Sequence, residues 1–324
     1  MTQGAVPEIE GRIVVLAGGL SHERDVSLRS GRRVAEALRD SGAEVEERDV
    51  DAHLLPSLRA APPACVLPLL HGETGEDGAL REVLELLKLP YVGSVPSACR
   101  AAFDKPVAKA VVTRAGLSTP KSVALPHEMF RELGAAAVME AIVASVGLPL
   151  IVKPAKSGSA LGCTVVRESS GLPGAMVNTF AYGETALVEQ FIEGDEVAVP
   201  VFDTGDGPRA LPIVSISPDG GVYDYTARYT AGSTEFVVPA KLSDDLAAEC
   251  ARVAVAAHEA LGLRDLSRSD LMIDADGTVW FLEVNVAPGL TETSTVPLSV
   301  EAAGLDLGEL MADLVRIAVA RSTH

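Results

Sequence analysis

Only four of the chain's 324 residues are cysteine: Cys65, Cys99, Cys163 and Cys250. No two stand close enough to form a C-x-x-C pair, which argues against a zinc site or a disulfide framework and makes a reducing cytosol the expected setting. Aromatic residues are scarce, at 4%, so the core has to be built from Val, Leu, Ile and Ala. Positive charge is in deficit: 27 Lys and Arg stand against 45 Asp and Glu, a formal net charge of −18. A field of that sign repels nucleic acid phosphates and anionic bilayers. No basic run or aromatic ladder overrides it, so neither nucleic acid nor membrane is an expected partner. No apolar run reaches the roughly 18–20 residues that a membrane span needs. Residues 1–7 lack the basic n-region and apolar core of a signal peptide. The common phosphate-loop signatures are missing as well. There is no G-x-x-x-x-G-K-[ST], and Gly18-Gly19 does not open a G-x-G-x-x-G. Internal repeats and low-complexity tracts are also absent.

What is present reads as a globular α/β protein. Hydrophobic residues make up 48% and charged residues 22%, and the length suits two or three domains. Arg12–Ala17 and Cys65–Leu70 are short, near-continuous apolar runs, as expected of strands buried on both faces of a parallel sheet. A helix with Val26, Leu28, Val34, Ala35 and Leu38 follows the first, Glu44–Val50 reads as an edge strand, Gly78–Leu87 as a helix and Tyr91–Gly93 as a short strand. Strands alternating with helices predict an open parallel α/β domain over residues 1–104. A central unit over 105–190 holds helices at Lys105–Ala115 and Met129–Ser145 and strands at Lys121–Ala124 and Leu148–Pro154. A small-residue loop, Ala155–Gly162, then leads back into Thr164–Val166. The third unit, 191–324, has strands at Glu196–Phe202 and Leu211–Ile216, a helix at Asp244–Leu261, and two strands joined by the turn Asp274-Ala275-Asp276-Gly277. It ends in an amphipathic helix at Leu305–Ala320.

The two strands around that last turn carry the most specific local chemistry. Asp270 sits at the start of one, and Glu283 and Asn285 at the end of the next, on one face because strand side chains alternate. Two carboxylates and an amide oxygen are hard ligands suited to Mg²⁺ shared with phosphates; the alternative is a solvated hairpin face, with Asn285 capping the turn before Pro288. Lys153 ends a buried strand just before the small-residue loop, where an ammonium and approachable backbone N–H groups can meet phosphates. Its alternative is a lysine snorkelling from a strand end. His71 and Glu23 follow strands of the first sheet, where ligands of such sheets gather. Otherwise His71 is a turn histidine and Glu23 a carboxylate favoured by a helix N-terminus. Arg268 points toward the Asp270 cleft or forms a surface ion pair.

Taken together the motifs run in a recognisable order. They are Leu16-Ala17-Gly18-Gly19 with Ser21–Ser27; Leu70-His71-Gly72 with Gly75-Glu76-Asp77-Gly78; Pro90–Gly93; Asp104-Lys105; and Val152-Lys153-Pro154 before Gly158-Ser159. Then come Glu189 before Glu196; Tyr223-Asp224-Tyr225 before Tyr229; Arg268 and Asp270; and Glu283-Val284-Asn285 before Pro288–Thr291. From first strand to last helix the chain resembles the D-alanine–D-alanine ligases of the ATP-grasp superfamily. The resemblance implies a three-domain ATP-grasp fold with ATP between the central and C-terminal sheets. It implies ligation of two D-alanines through an acyl phosphate for peptidoglycan precursors, two Mg²⁺ (or Mn²⁺) ions, a cytoplasmic location and a homodimer. Lys105, Lys153 and Arg228 would then face the ATP phosphates, Glu189 the adenine amino group and Glu196 the ribose. Asp270, Glu283 and Asn285 would hold the metals, and Arg268 with the Gly289 N–H would form an oxyanion site. Glu23 would fix the first substrate's ammonium and join Ser159 and Tyr229 in a hydrogen-bonded set, with His71 nearby. Ser294 and Thr295 would line the second-substrate pocket.

Four positions depart from the family pattern: Arg228 where the family has Lys, Ala160 where it has a second Ser, Leu290 where it has Met, and Thr295 where it has a large aliphatic residue. They leave two alternatives open: a related ligase making another dipeptide such as D-Ala-D-Ser, and an ATP-binding protein that no longer catalyses.

Overall fold

The computed structural model describes residues 9, 11–220, 223, 228 and 232–322. In the N-terminal unit, β1 (Ile13–Leu16) is followed by α1 (Arg24–Asp40), β2 (Val45–Arg48), α2 (Leu54–Ala60) and β3 (Cys65–Pro68). The three strands form a parallel sheet in the order β2-β1-β3. β1 and β3 are buried throughout, and their alternate residues serve opposite faces. Ile13, Val15 and Leu67 pack with Val34, Ala35 and Leu38 of α1, whereas Val14, Leu16 and Val66 pack with Leu54 and Leu58 of α2. Three short helices follow: α3 (Glu73–Glu76), α4 (Ala79–Leu86) and α5 (Pro96–Phe103). α3 and α5 occupy stretches in which no sequence pattern marked a helix. The expected strand Tyr91–Gly93 reduces to a single parallel bridge between Val66 and Tyr91. Pro90 has no N–H to extend the ladder, and Gly93 turns away at a φ of 111°.

The central unit runs α6 (Lys105–Arg114), β4 (Ser122–Pro126), α7 (His127–Leu133), α8 (Ala135–Val146), β5 (Leu150–Pro154), β6 (Thr164–Val166), α9 (Leu172–Phe180) and β7 (Thr185–Gln190). Asp104 caps α6 by accepting from the Val107 N–H at 3.3 Å. One helix was expected over Met129–Ser145; Gly134, at a φ of 86°, divides it into α7 and α8. The sheet is antiparallel, in the order β4-β7-β5-β6. The small-residue segment is the β5–β6 connection, as its composition suggested.

The C-terminal unit runs β8 (Gly194–Phe202), β9 (Arg209–Ala210), β10 (Val214–Pro218), β11 (Thr234–Val237), α10 (Asp244–Ala260), β12 (Leu266–Asp274), β13 (Val279–Asn285), α11 (Thr295–Ala302) and α12 (Leu307–Ser322). Its antiparallel sheet has the order β11-β10-β8-β12-β13, with β9 beside β8. α5, α6 and α10 cover one face of it through Cys99, Val112, Val253 and Ala257, against Val199, Leu271 and Phe281. The last helix crosses back: Met311, Leu314 and Val315 of α12 join the core of β1, β3 and α1. Among the described residues no helix is long and apolar enough to cross a membrane.

A polar latch ties the first unit to the third. Asp265, just before β12, is 1% exposed and holds a φ of 67°. Its carboxylate accepts from the Gly93 N–H at 2.6 Å and from the Arg321 guanidinium of α12, Nη2 lying at 2.8 Å. Arg264 donates through Nε to the Gly93 carbonyl at 2.7 Å. Replacing Arg321 by Met strands a buried carboxylate. Arg321 is partly exposed, so the low end of the range for breaking a buried pair applies, about 3 kcal/mol. Urea unfolding of the Arg321→Met variant should show that loss at neutral pH; an unchanged midpoint would mean that the latch contributes nothing.

Candidate active site

β12 and β13 place the acidic residues by register. Asp270 lies opposite Glu283, and Arg268 opposite Asn285. Asp270 is therefore mid-strand, not at the strand start that its sequence position suggested. A bulge follows, because Leu271 pairs with Phe281 and Leu282 has no partner in the ladder. The extra residue changes the alternation of β13. Phe281 and Val284 both face the core, while Leu282, Glu283 and Asn285 face clefts. Arg268 grips Asp270 with two parallel bonds, Nε to Oδ1 at 2.7 Å and Nη2 to Oδ2 at 2.8 Å. The Asn285 amide oxygen accepts from the Ala287 N–H at 2.9 Å, shaping the turn before Pro288.

Opposite this sheet the central unit presents three buried lysines. Lys153, on β5, lies 2.8 Å from Glu189 Oε2, and Lys109, on α6, lies 2.8 Å from Oε1. Lys105, the first residue of α6, donates to the Ser157 carbonyl at 2.6 Å and stands 3.3 Å from Glu283. Burial would raise the Glu283 carboxyl, but the ammoniums of Lys105 and Lys153 outweigh it and hold the pKa down at about 2. Burial lowers Lys109 to about 8 in spite of Glu189, while Glu189 and Glu283 outweigh burial at Lys153 and raise it. Glu196, on β8, has no ion pair among the described residues, and burial lifts it to about 7 although Arg228 pulls the other way. Lys105, Lys153, Glu189, Glu196 and Leu282 line a cavity of about 300 Å³ between the two sheets. Arg228 lies at its edge, stacked over the Tyr223 ring at 4.2 Å.

A second cavity of about 650 Å³ opens between all three units. Its N-terminal wall begins at Glu23, the residue preceding α1. The Ser159 hydroxyl donates to Glu23 Oε1, which joins the β5–β6 loop to the first unit. The loop approaches so closely that a Cβ on Gly158 would stand 2.8 Å from Glu23 Oε2. Ser159 and Ala160 hold left-handed φ angles of 53° and 55°, a conformation that costs energy without glycine and is characteristic of functional loops. His71 is 4% exposed. Its Nδ1 donates to the Ala287 carbonyl at 2.9 Å, and Nε2 lies 3.3 Å from the Ser30 hydroxyl. Ser30 in turn accepts from the Leu290 N–H at 3.0 Å. Burial lowers the His71 pKa, so the ring is neutral and fixed as the Nδ1–H tautomer. Ser30 thus orients both the imidazole and the peptide after Gly289.

The far wall is the start of α11. Ser294 Oγ accepts from the Thr291 N–H at 3.1 Å and lies 2.8 Å from the Thr291 hydroxyl. Gly289 leaves room for it; a Cβ there would meet Ser294 Oγ at 2.8 Å. Thr295 is buried, and its Oγ1 has no hydrogen-bond partner.

The sequence-derived residues Glu23, His71, Lys105, Ser159, Arg228, Arg268, Asp270, Glu283, Asn285, Gly289, Ser294 and Thr295 therefore line one cavity. Lys153, Glu189 and Glu196 line the other. Tyr229 lies outside the described residues. Sequence reasoning assigned no role to Lys109, Ser30 or Glu76. Lys109 follows Lys105 by one helical turn, which was the available signal. Glu76 was quoted as part of a motif. The fold buries it beneath the cavity, where its Oε1 accepts from the Gly72 N–H at 2.8 Å.

A family model described as the D-ala D-ala ligase C-terminus matches residues 111–316. A D-alanine–D-alanine ligase of Bordetella petrii is 41% identical over 305 residues, 94% of this chain and 91% of that protein. One from Methylibium petroleiphilum is 40% identical over 94% of both. Among solved structures, the VanG D-Ala:D-Ser ligase of Enterococcus faecalis superposes with a TM-score of 0.83 at 28% identity, covering 95% of this chain and 99% of that one. The D-alanine–D-alanine ligase of Bacillus anthracis complexed with ATP gives 0.77 at 26%, covering 97% and 98%.

Burial and the charge of Glu23 raise the Glu76 pKa to about 8. The sign follows from linkage: a carboxyl raised in the folded state contributes stability below about pH 4.5 that is lost as pH rises toward 8. Glu76→Gln keeps the bond to Gly72 and removes the titration. Its unfolding free energy should fall less than the parent's between pH 5 and 8; parallel pH profiles would place the Glu76 carboxyl at an ordinary pKa.

Proposed function

Because the chain belongs to the D-alanine–D-alanine ligase family, we propose that its two cavities divide one reaction, nucleotide in the smaller and amino acids in the larger. The protein is an ATP-dependent ligase that joins two D-alanines for peptidoglycan precursor synthesis. The observation that carries the division of labour is the line of charged residues connecting the cavities: Lys105, Arg228, Asp270 and Glu283 line both.

In this reading the first D-alanine sits with its ammonium at Glu23 and its carboxylate toward the shared boundary. That carboxylate takes the γ-phosphoryl group of ATP and becomes an acyl phosphate. Lys105, Lys153 and Arg228 offset the charge of the phosphates, which is the main task a protein has in phosphoryl transfer. Glu189 fixes Lys109 and Lys153, and the adenine amino group meets this end of the cavity. Glu196, lifted toward neutrality by burial, suits hydrogen bonding to ribose hydroxyls. The amine of the second D-alanine attacks the acyl carbonyl, and phosphate leaves. Arg268 and the Gly289 N–H face the oxygen on which charge develops. Ser294, at the head of α11, receives the second carboxylate, where the helix N-terminus favours an anion.

Asp270, Glu283 and Asn285 suit Mg²⁺. Among the described residues no three His, Cys, Asp or Glu side chains gather into a protein-only cage. Two carboxylates and an amide on one sheet face, next to a phosphate site, are the donor set of an ion that completes its shell with phosphate and water. Bound there, Mg²⁺ supplies charge neutralisation of the transferring group. The cytoplasm, where ATP is at hand, and a homodimer complete the proposal.

Thr295 supports a secondary acceptor. Its unpartnered hydroxyl borders the second-substrate end of the larger cavity, and the similar VanG structure is that of a D-Ala:D-Ser ligase. One added hydrogen bond shifts a preference by about 1–3 kcal/mol, so D-serine is used beside D-alanine but does not displace it.

Glu283→Ala should lower ATP-dependent dipeptide formation by about 10²-fold or more, equivalent to roughly 2.7 kcal/mol on the barrier, and should melt earlier than the parent, because buried Lys105 loses its carboxylate. A variant that is still folded at the assay temperature and turns over normally would refute the metal assignment. Offered D-alanine, D-serine and D-lactate as acceptors between pH 6 and 9, the enzyme should form amides, faster as the acceptor amine deprotonates. Mass analysis showing mainly the D-lactate ester, or no product from D-alanine, would overturn the assignment of the acceptor.

A further inference from the structure

Arg81, on α4, is 1% exposed and among the largest fully buried side chains of the protein. A guanidinium has five N–H donors. One is accounted for, because Nη1 donates to the Gly75 carbonyl. Nε is buried with no acceptor. Among the described residues no carboxylate stands within ion-pair distance of the group. The acids of its own helix are engaged elsewhere, Glu82 with Arg100 and Glu85 with the Tyr91 hydroxyl. A buried charge without a partner is costly enough that native structures rarely keep one.

A small cavity of about 20 Å³ lies beside Arg81, walled chiefly by Leu67, Leu69, Val92, Val286 and Met311. The backbone gives the guanidinium room: a Cβ on Gly93 would stand 3.4 Å from both Nε and Nη2. The neighbouring polar groups are already committed. His71 uses both ring nitrogens on Ala287 and Ser30, the Gly93 N–H goes to Asp265 and the Val92 N–H to Val66. The space is sufficient for one water-sized species. Water, however, needs two to four polar partners, and apart from the guanidinium the walls are mainly apolar. A water would also leave the charge unbalanced. A polarisable anion needs only the guanidinium and tolerates apolar walls.

We propose that this cavity binds one small monovalent anion of the halide class, held by Arg81. The site is separate from both cavities of the ligase reaction. It lies behind His71 and the Ala287–Pro288 turn, so the bound ion steadies the junction at which the first and third units meet.

The test uses the whole protein in sodium gluconate, chloride or bromide at equal ionic strength. Chloride and bromide should raise the midpoint of thermal unfolding over gluconate by about 2–4 °C for an occupied site. Arg81→Gln, which keeps a hydrogen-bonding group and removes the charge, should lose that difference. Crystals of the unmodified protein grown in bromide should show an anomalous peak beside the Arg81 guanidinium. A water in the cavity of those crystals, or an equal halide response in Arg81→Gln, would overturn the proposal. The bromide map decides the matter on its own if the variant does not fold.

Discussion

A protein interior does not tolerate an unpaired ammonium, and the central unit of this ligase buries three, each with a carboxylate partner. Lys105, Lys109 and Lys153 come from α6 and β5, and all are buried. Their partners are Glu189 on the same sheet and Glu283 on the facing one. The pair Lys105–Glu283 spans the gap between the central and C-terminal units. A triphosphate accompanied by divalent cations brings both signs of charge with it. On the reading proposed above, such a ligand can take over the lysines and the carboxylate together, so that binding leaves neither charge unmatched.

The same logic extends outward from the cleft. Arg268 neutralises Asp270, and Arg321 neutralises Asp265. His71 and Glu76 are instead accommodated near their neutral forms by burial. At the larger cavity the first unit contributes His71 and Glu76, which burial holds toward their neutral forms, beside Glu23, and the other two contribute Lys105, Arg268, Asp270 and Glu283, which are paired. The larger cavity lies where these two kinds of wall meet. A substrate bearing an ammonium at one end and a carboxylate at the other fits that asymmetry, with Glu23 on one side and Arg268 on the other.

Much of the architecture was legible in the residues themselves. Ile13–Leu16 and Cys65–Pro68 are apolar because both faces of the sheet are covered, and that pattern needs no tertiary information. Asp270, Glu283 and Asn285 were legible as one group from strand alternation and a strong turn. The sequence did not disclose the bulge at Leu282, since one extra residue in a ladder has no compositional mark. Nor did it disclose the division at Gly134, where a helical pattern runs across a glycine that turns out to have positive φ. Groups whose meaning depends on what packs against them were the least legible. Lys109 reads as a surface lysine until α6 is placed over β7, and Asp265 as a loop residue until Gly93 and Arg321 arrive from opposite ends of the chain. The motif order, in contrast, identified the family, and the candidate site residues among the described ones line the two cavities, because several of the motifs sit at strand ends or loops that the fold turns inward.

α12 carries a consequence for how the molecule is made. Its apolar face covers β1, β3 and α1, elements that lie within the first seventy residues. During synthesis those strands emerge early, yet one face of their sheet is covered only in part, by α1, until residues 307–322 have followed. The first unit is thus a core that its own residues begin and α12 closes. Contacts of such long sequence separation form late and slowly. A nascent chain halted before α12 would leave open the part of that apolar face that α1 does not cover. The junction of the first and third units is therefore also a checkpoint: a chain has it only once residues 307–322 have been added.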